Sequence, residues 1–287
     1  MMRKNLFFLL TMLMLFDIAI GQTVKIMSFN IRYDNPADSV YNWRYRKTMA
    51  ADVVKYSDVD IVGMQEVLYN QLVDLDSMLI DYSYVGEGRD GGKKGEYCPI
   101  FFKKKRFTVE ESSTFWLSEN PEAKGVRGWD AACNRIVTWA KVFDKKTNKS
   151  FYFFNTHLDH QGTISRIKSA ELIIKKITEI AGNDFVVLTG DFNSLEKGAV
   201  YQLFTYWDNP VKLKDSRSLC SNTLFGPECT FIDFAPNLSS NILIDYIFVK
   251  DDVEVIWHSI ITLNKNGFYP SDHLPVFTEV LMKHSRQ

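Results

Sequence analysis

Six short stretches end apolar runs in side chains able to bind a metal ion or move a proton: SFN at 28–30, MQE at 64–66, FNTH at 154–157, GDFN at 190–193, IDY at 244–246 and SDH at 271–273. They supply Asn30, Glu66, Asn155, His157, Asp191, Asn193, Asp245, Asp272 and His273. An unpaired carboxylate or imidazole beside a run such as Phe185-Val186-Val187-Leu188 is costly to bury unless it finds a partner or a metal. One such strand end is ordinary. Six of them predict a site assembled along one edge of a sheet system from distant parts of the chain.

The donors are mostly oxygen, which suits Mg²⁺, with Mn²⁺ as a substitute, and points to phosphate chemistry. His157 and His160 have a spacing that would hold zinc on a helix, but FYFFNT before them reads as a strand, and neither CxxC nor HExxH occurs. The glycines at 86, 88 and 91 match a dinucleotide fingerprint in letters only, since more glycine and lysine follow where a helix is required. There is no phosphate-binding Walker loop and no Gly-x-Ser-x-Gly elbow. Asp191 and Asn193 would face the same way on an extended backbone, giving an acid for water and an amide for a phosphoryl oxygen; an Asx turn is the equal alternative. Asp272 and His273, being adjacent, would point apart. A different acid must orient the imidazole, and Asp245 is the best placed.

The elements that carry these residues alternate. Strands are expected at 23–30, 59–66, 150–157, 185–193 and 241–249, and helices at 43–56, 69–79 and 165–180, the last capped by Ser165. Strands alternating with helices and then crowding together predict an α/β fold with sheets inside and helices outside. Residues 82–96 read as a glycine-rich surface loop, and Lys103-Lys104-Lys105-Arg106 as a solvated hairpin tip. Arg135, leading into the strand IVTWAKVF, is a better candidate than Arg127 to clamp a second phosphate. Tyr97, Phe115, Trp116, Trp129 and Trp139 are expected mainly in the core.

Arg3 and Lys4, an apolar run from Leu6 to Phe16 and the small-residue end Ala19-Ile20-Gly21 have the form of a secretory signal peptide. Residues 1–21 are therefore expected to be removed, leaving 22–287 as a single exported domain, periplasmic or extracellular, with no transmembrane segment. The formal net charge of −1 disfavours long nucleic acid as a partner, because phosphate neutralisation drives that binding. Export permits oxidation of Cys98, Cys133, Cys220 and Cys229. Cys220–Cys229 is the favoured pair, with free thiols an equal alternative.

In family order, SFNIR, MQEV, NTHLDH, GDFN, IDYIFV and SDHLPV resemble the endonuclease/exonuclease/phosphatase superfamily. GRDGGKKGEYCPIFF, TFWLSENP and GWDAACNR resemble a bacterial exported subgroup of it. The resemblance implies a deoxyribonuclease I-like, four-layered α/β sandwich of two packed mixed sheets flanked by helices. It also implies a metal-dependent phosphoesterase in which water attacks in line. Glu66 would be the principal metal ligand, with Asn30 close to metal and phosphate and Asp272 near the metal. His157 and Asn193 would contact the phosphate, Asp191 would activate water, and His273, polarised by Asp245, would stabilise the developing charge or act as base. Asn155 and Arg135 are candidate substrate contacts. Arg32 stands where several relatives carry an acid, which leaves the metal count open. A small or lipid-borne phosphoester and a monomeric protein are expected; an extracellular nuclease and a catalytically silent phosphate- or glycan-binding module are the alternatives.

Overall fold

In the computed structural model, residues 23–206, 208–235, 238, 242–250 and 253–282 are described. The leader-like segment lies outside them. Twelve strands follow in chain order: β1 (Thr23–Asn30), β2 (Ile61–Gln65), β3 (Tyr82–Val85), β4 (Ile100–Lys103), β5 (Phe107–Trp116), β6 (Ile136–Asp144), β7 (Lys149–His157), β8 (Val186–Asp191), β9 (Leu213–Asp215), β10 (Asp245–Lys250), β11 (Val253–Ile260) and β12 (Val276–Met282). The longer helices are α1 (Trp43–Tyr56), α2 (Tyr69–Met78) and α3 (Thr163–Ala181), and α4 (Ala199–Thr205) is shorter.

The strands form two six-stranded mixed sheets, ordered β11-β12-β1-β2-β4-β3 and β5-β6-β7-β8-β10-β9. Side-chain alternation explains how they stack. In β1, Val24 and Ile26 enter an apolar layer with Val187, Phe153 and Ile247 of the other sheet, while Met27 and Phe29 pack on Trp43, Val54 and Leu72 of α1 and α2. In β8, Val187 faces the first sheet, while Val186 and Leu188 join Ile173 and Ile177 of α3 and Phe204 of α4. Each central strand is buried on both faces, which accounts for runs such as FVVL, and the result is four layers: helix, sheet, sheet, helix.

The same alternation puts Asn30, Gln65, Asn155, His157, Asp191 and Asp245 on the inner faces. β7 and β8 are parallel, with His157 opposite Asp191, and β10 is antiparallel to β8, with Asp245 also opposite Asp191. The C-terminal ends of β7 and β8 and the first residue of β10 therefore meet. β1 and β2 run parallel in the facing sheet and bring Asn30 to the same edge.

Several local expectations are corrected. Ser165 lies inside α3 and is buried; the helix begins at Thr163, and the Asp130 carboxylate accepts the Ile164 and Ser165 backbone N–H groups in place of a serine cap. Residues 82–85 form β3, so the glycine-rich loop is shorter than expected. Arg106 is not solvated. Its guanidinium is 5% exposed and bridges Asp144 at 2.7 and 3.0 Å and Asp60 at 2.6 Å, because an arginine fork can satisfy two buried acids where lysine cannot. All four cysteines are free; Cys220 faces the Asn222 carbonyl and Cys229 that of Leu238, so the expected Cys220–Cys229 pair is not formed. Tyr97, Phe115, Trp116 and Trp139 are core residues, and Trp129 is partly exposed.

Candidate active site

Asp191 lies at the centre of the meeting strand ends. Asn30 Nδ2 donates to its Oδ2 at 3.0 Å, His157 Nε2 lies 3.5 Å and His273 Nε2 3.7 Å from the same oxygen, and the Asn193 backbone N–H donates to its Oδ1 at 2.9 Å. Burial first, and the Asp245 charge second, push its carboxyl up to about 7. Glu66 sits just past β2 at φ 62°, a left-handed backbone that is costly for a residue with a Cβ. That turn aims its carboxylate into the site, where Asn30 Nδ2 donates to Oε1 at 3.1 Å and the Tyr33 N–H donates to Oε2 at 3.0 Å.

The residue that orients His273 is Asp245, whose Oδ2 lies 2.8 Å from His273 Nδ1. Burial alone would lower the pKa of this imidazole, but Asp245, with Asp191 and Asp272 beyond it, overrides burial and raises the pKa well above the usual histidine value. His157 behaves oppositely: burial and the nearby Arg135 charge hold it well below that value, so it is a neutral ring. The two histidines thus differ in charge although both are buried. Asn193 does not share an extended backbone with Asp191. At φ 46° it turns, and its Nδ2 meets His157 Nε2 at 3.0 Å and donates to the Leu158 carbonyl at 3.0 Å.

The SDH stretch is fastened from behind. Ser271 Oγ donates to the Asn30 carbonyl at 2.7 Å and accepts the His273 N–H, while buried Arg46 donates to the carbonyls of Ile31, Arg32 and Pro270. Arg46 thereby ties the chain after β1 to the chain before β12.

Glu66, His157 and Asp191 each offer a ligand atom, all within 4.8 Å of one another. Two carboxylates with only the uncharged Asn30 amide between them fit a hard divalent cation, and the neutral His157 ring beside them adds no opposing charge. Asp272 is not part of this group: its Oδ1 lies 3.2 Å from Ser271 Oγ and its Oδ2 3.7 Å from Arg32 Nε. Arg32 grips Asp38 through two 3.0 Å bonds and brings a cation to this side of the site. Asn30 is placed with its amide nitrogen toward both acids and its oxygen accepting the Arg32 N–H.

Asn155 is displaced from the expected site by its neighbours. Fully buried between the sheets, it donates to the Met64 and Pro99 carbonyls and accepts from Gln65 and Thr189. It is a polar bolt joining the layers. Gly63 beside it cannot be anything larger, since a Cβ there would meet Thr189 Oγ1 at 2.2 Å. Arg135, by contrast, reaches the cavity. It is buried, 3.4 Å from Asp159 and 3.1 Å from His160 Nδ1. Asp159, whose burial alone would raise its pKa, is instead held below the usual carboxylate range by the N–H groups of Gly162, Ala132 and Gln161 and by Arg135.

The cavity above these groups measures about 790 Å³. Its walls include residues that the motif reading missed: Arg89 and Glu96 from the glycine-rich loop, and Phe231, whose ring meets His273 edge-on at 5.1 Å. Their signal was weak because Arg89 and Glu96 read as charges of a surface loop and Phe231 as an ordinary apolar residue.

Comparison with known proteins agrees with this arrangement. A family model described as Endonuclease/Exonuclease/phosphatase family matches residues 27–273. An endonuclease/exonuclease/phosphatase of Bacteroides vulgatus is 43% identical and superposes with a TM-score of 0.87 over 91% of this chain and 100% of that one. A mannosyl-6-phosphatase of Bacteroides thetaiotaomicron is 35% identical, with a TM-score of 0.83 over 90% of this chain and 99% of that one. Carbon catabolite repressor protein 4 homolog 3 of Arabidopsis thaliana is 29% identical over 199 residues, 65% of this chain but only 41% of that protein. The match spans every strand end that feeds the cavity, from β1 to His273, and the chain belongs to the endonuclease/exonuclease/phosphatase family of metal-dependent phosphoester hydrolases.

Proposed function

We propose that this enzyme removes or cleaves the phosphate of a small phosphoester, with a phosphorylated sugar as the favoured substrate class and Mg²⁺, or Mn²⁺ in its place, as the cation. The carrying observation is the cavity itself: about 790 Å³, lined by Glu66, Asp191, His157 and His273 together with Arg89, Glu96, Arg135 and His160. That is ample room for a phosphate and a polar group esterified to it. The likeness to a mannosyl-6-phosphatase supports the same reading.

Glu66 and Asp191 would hold the cation, which when bound neutralises charge on a phosphoryl oxygen. Asp191, which burial and Asp245 make more basic than an ordinary carboxylate, would orient water and accept its proton. Asn193 Nδ2, its two hydrogens directed at His157 Nε2 and the Leu158 carbonyl, would hold the His157 ring in place beside the phosphate. His273 would donate from Nε2 to the charge that develops as the ester bond breaks, its Nδ1 held by Asp245. Arg135 would take up charge farther along the substrate.

The test is hydrolysis of mannose 6-phosphate, glucose 6-phosphate, bis(p-nitrophenyl) phosphate and a single-stranded oligonucleotide, each with Mg²⁺, Mn²⁺ or EDTA, by the protein and by Asp191→Asn. Sugar-phosphate turnover that is lost both with EDTA and in the variant supports the reading. Preferential cleavage of the oligonucleotide, weakened steeply by salt, would replace it with a nuclease. We also infer export from residues 3–21; the mass of the protein recovered from its host, with or without those residues, tests it.

A further inference from the structure

The loop 86–96 lies outside every catalytic motif, yet it sends two opposite charges into the cavity. Arg89 Nη1 and Glu96 Oε2 are 2.8 Å apart, with side chains 18% and 17% exposed, and both line the cavity that holds Asp191 and His273. Glu96 is not one of the acids that would hold the cation or activate water, so its place in the cavity asks for another role. Burial raises the Glu96 pKa, Arg89 opposes that rise, and Glu66 and Arg135 are close enough to act on it as well. Among the described residues, Glu96 belongs to no group of donors close enough to share an ion.

The loop is closed by bonds that do not involve these two side chains. Its backbone closes through Arg89 N–H to the Glu96 carbonyl at 2.9 Å, Asp90 N–H to the Lys94 carbonyl at 3.1 Å and Gly88 N–H to the Gly92 carbonyl at 2.8 Å. Trp116 Nε1 donates to the Arg89 carbonyl at 2.6 Å, Asn134 Nδ2 to Asp90 Oδ1 at 2.7 Å and Tyr97 OH to the Gly92 carbonyl at 3.0 Å. Gly88 permits the tight closure, since a Cβ would meet the Lys94 carbonyl oxygen at 2.0 Å. A fixed backbone presenting a fixed donor–acceptor pair is what recognition of a rigid polar group requires.

We propose that Arg89 and Glu96 form a hydroxyl-reading pair that selects the polyol part of the substrate, Glu96 accepting from one hydroxyl while Arg89 donates to its neighbour. The inference rests on the sugar-phosphate reading of the same cavity and names the residues that make the choice. A hydroxyl is both donor and acceptor, so a joined carboxylate and guanidinium can satisfy two vicinal hydroxyls at once. An aryl group offers nothing to the pair and leaves it desolvated, which is how a polar site rejects an apolar analogue.

The experiment compares mannose 6-phosphate with phenyl phosphate in the wild-type protein, Glu96→Gln and Arg89→Met, and measures competition by inorganic phosphate. The expected result is a loss of about tenfold or more in kcat/KM for the sugar phosphate in both variants. Phenyl phosphate turnover should stay within about threefold, and inhibition by phosphate should be equal or tighter in Glu96→Gln once the acid's charge is gone. Parallel losses on both substrates, or no change on either, would overturn the pair's role while leaving the phosphatase reading intact. Failure of the wild-type protein to turn over either monoester would overturn both.

Discussion

Replacing Arg106 with leucine should weaken the whole molecule although the residue is far from the chemistry. Arg106 joins Asp60, just before β2 in one sheet, to Asp144, at the end of β6 in the other, and donates to the Thr23 carbonyl at 2.9 Å. Asp144 is 0% exposed and Asp60 4%. Asp60 would keep Lys103 at 3.1 Å and the Lys25 N–H at 3.0 Å, whereas Asp144 would keep only the Lys146 N–H at 2.9 Å. Breaking a buried pair by removing one partner costs about 3–5 kcal/mol. With Asp60 still supported we expect about 3–4 kcal/mol, a large share of a typical stability of about 5–15 kcal/mol. In urea denaturation with an m-value of about 2–3 kcal/mol/M, the midpoint should fall by about 1 M or more with m unchanged. Lys105→Ala is the control: its side chain is 88% exposed and 3.9 Å from Asp81, and a shift of about 0.5 kcal/mol or less is expected. A leucine variant within that control's range would show that the two acids are not held by Arg106, and the account of this bridge would be wrong.

Other outcomes follow from the same geometry. Asn155→Leu should lower stability by about 2–4 kcal/mol by stranding partners in both sheets, with KM for a good substrate within about threefold; a large KM effect would return Asn155 to the substrate site. Asp245→Asn should lower kcat by about a hundredfold or more, and the alkaline limb of its pH profile should move to lower pH, because the charge that keeps His273 protonated at higher pH is gone; an unmoved limb would refute the dyad. Burial, followed by the Arg217 charge, lowers the His258 pKa to about 4, so its native state holds the neutral ring. Its contribution is complete above about pH 6.5 and is lost as pH falls toward about 4, by about 3 kcal/mol in all. The stability difference between wild type and His258→Gln should therefore change by about 3 kcal/mol across that window. Asp215, raised to about 6 chiefly by burial, gives the opposite slope, so the difference between variant and wild type is the quantity to read.

The ends of the strands were the most legible part of the chain. A run buried on both faces that stops at Asn30, His157 or Asp191 announces its own boundary, and β1 and α1 have the limits their patterns predict. The Asp245 assignment was also within reach, because adjacent residues on an extended chain cannot face each other. What lay beyond the sequence depends on distance through space. Asn155 has the same local signature as His157, two residues away on the same face of β7, yet it meets Gln65 and Thr189 in the closed interior while His157 lies beside Asn193 at the cavity. Arg106 reads as the end of a basic surface run until the two acids that surround it are brought from 46 residues before and 38 after. Arg89 and Glu96 are ordinary loop charges until the loop folds over the site. Hydrophobic periodicity is a local property and fixes which residues a strand buries; whether a buried polar group bolts two sheets or faces a substrate is decided by which other strand ends next to it, and that is settled only when the sheets pack.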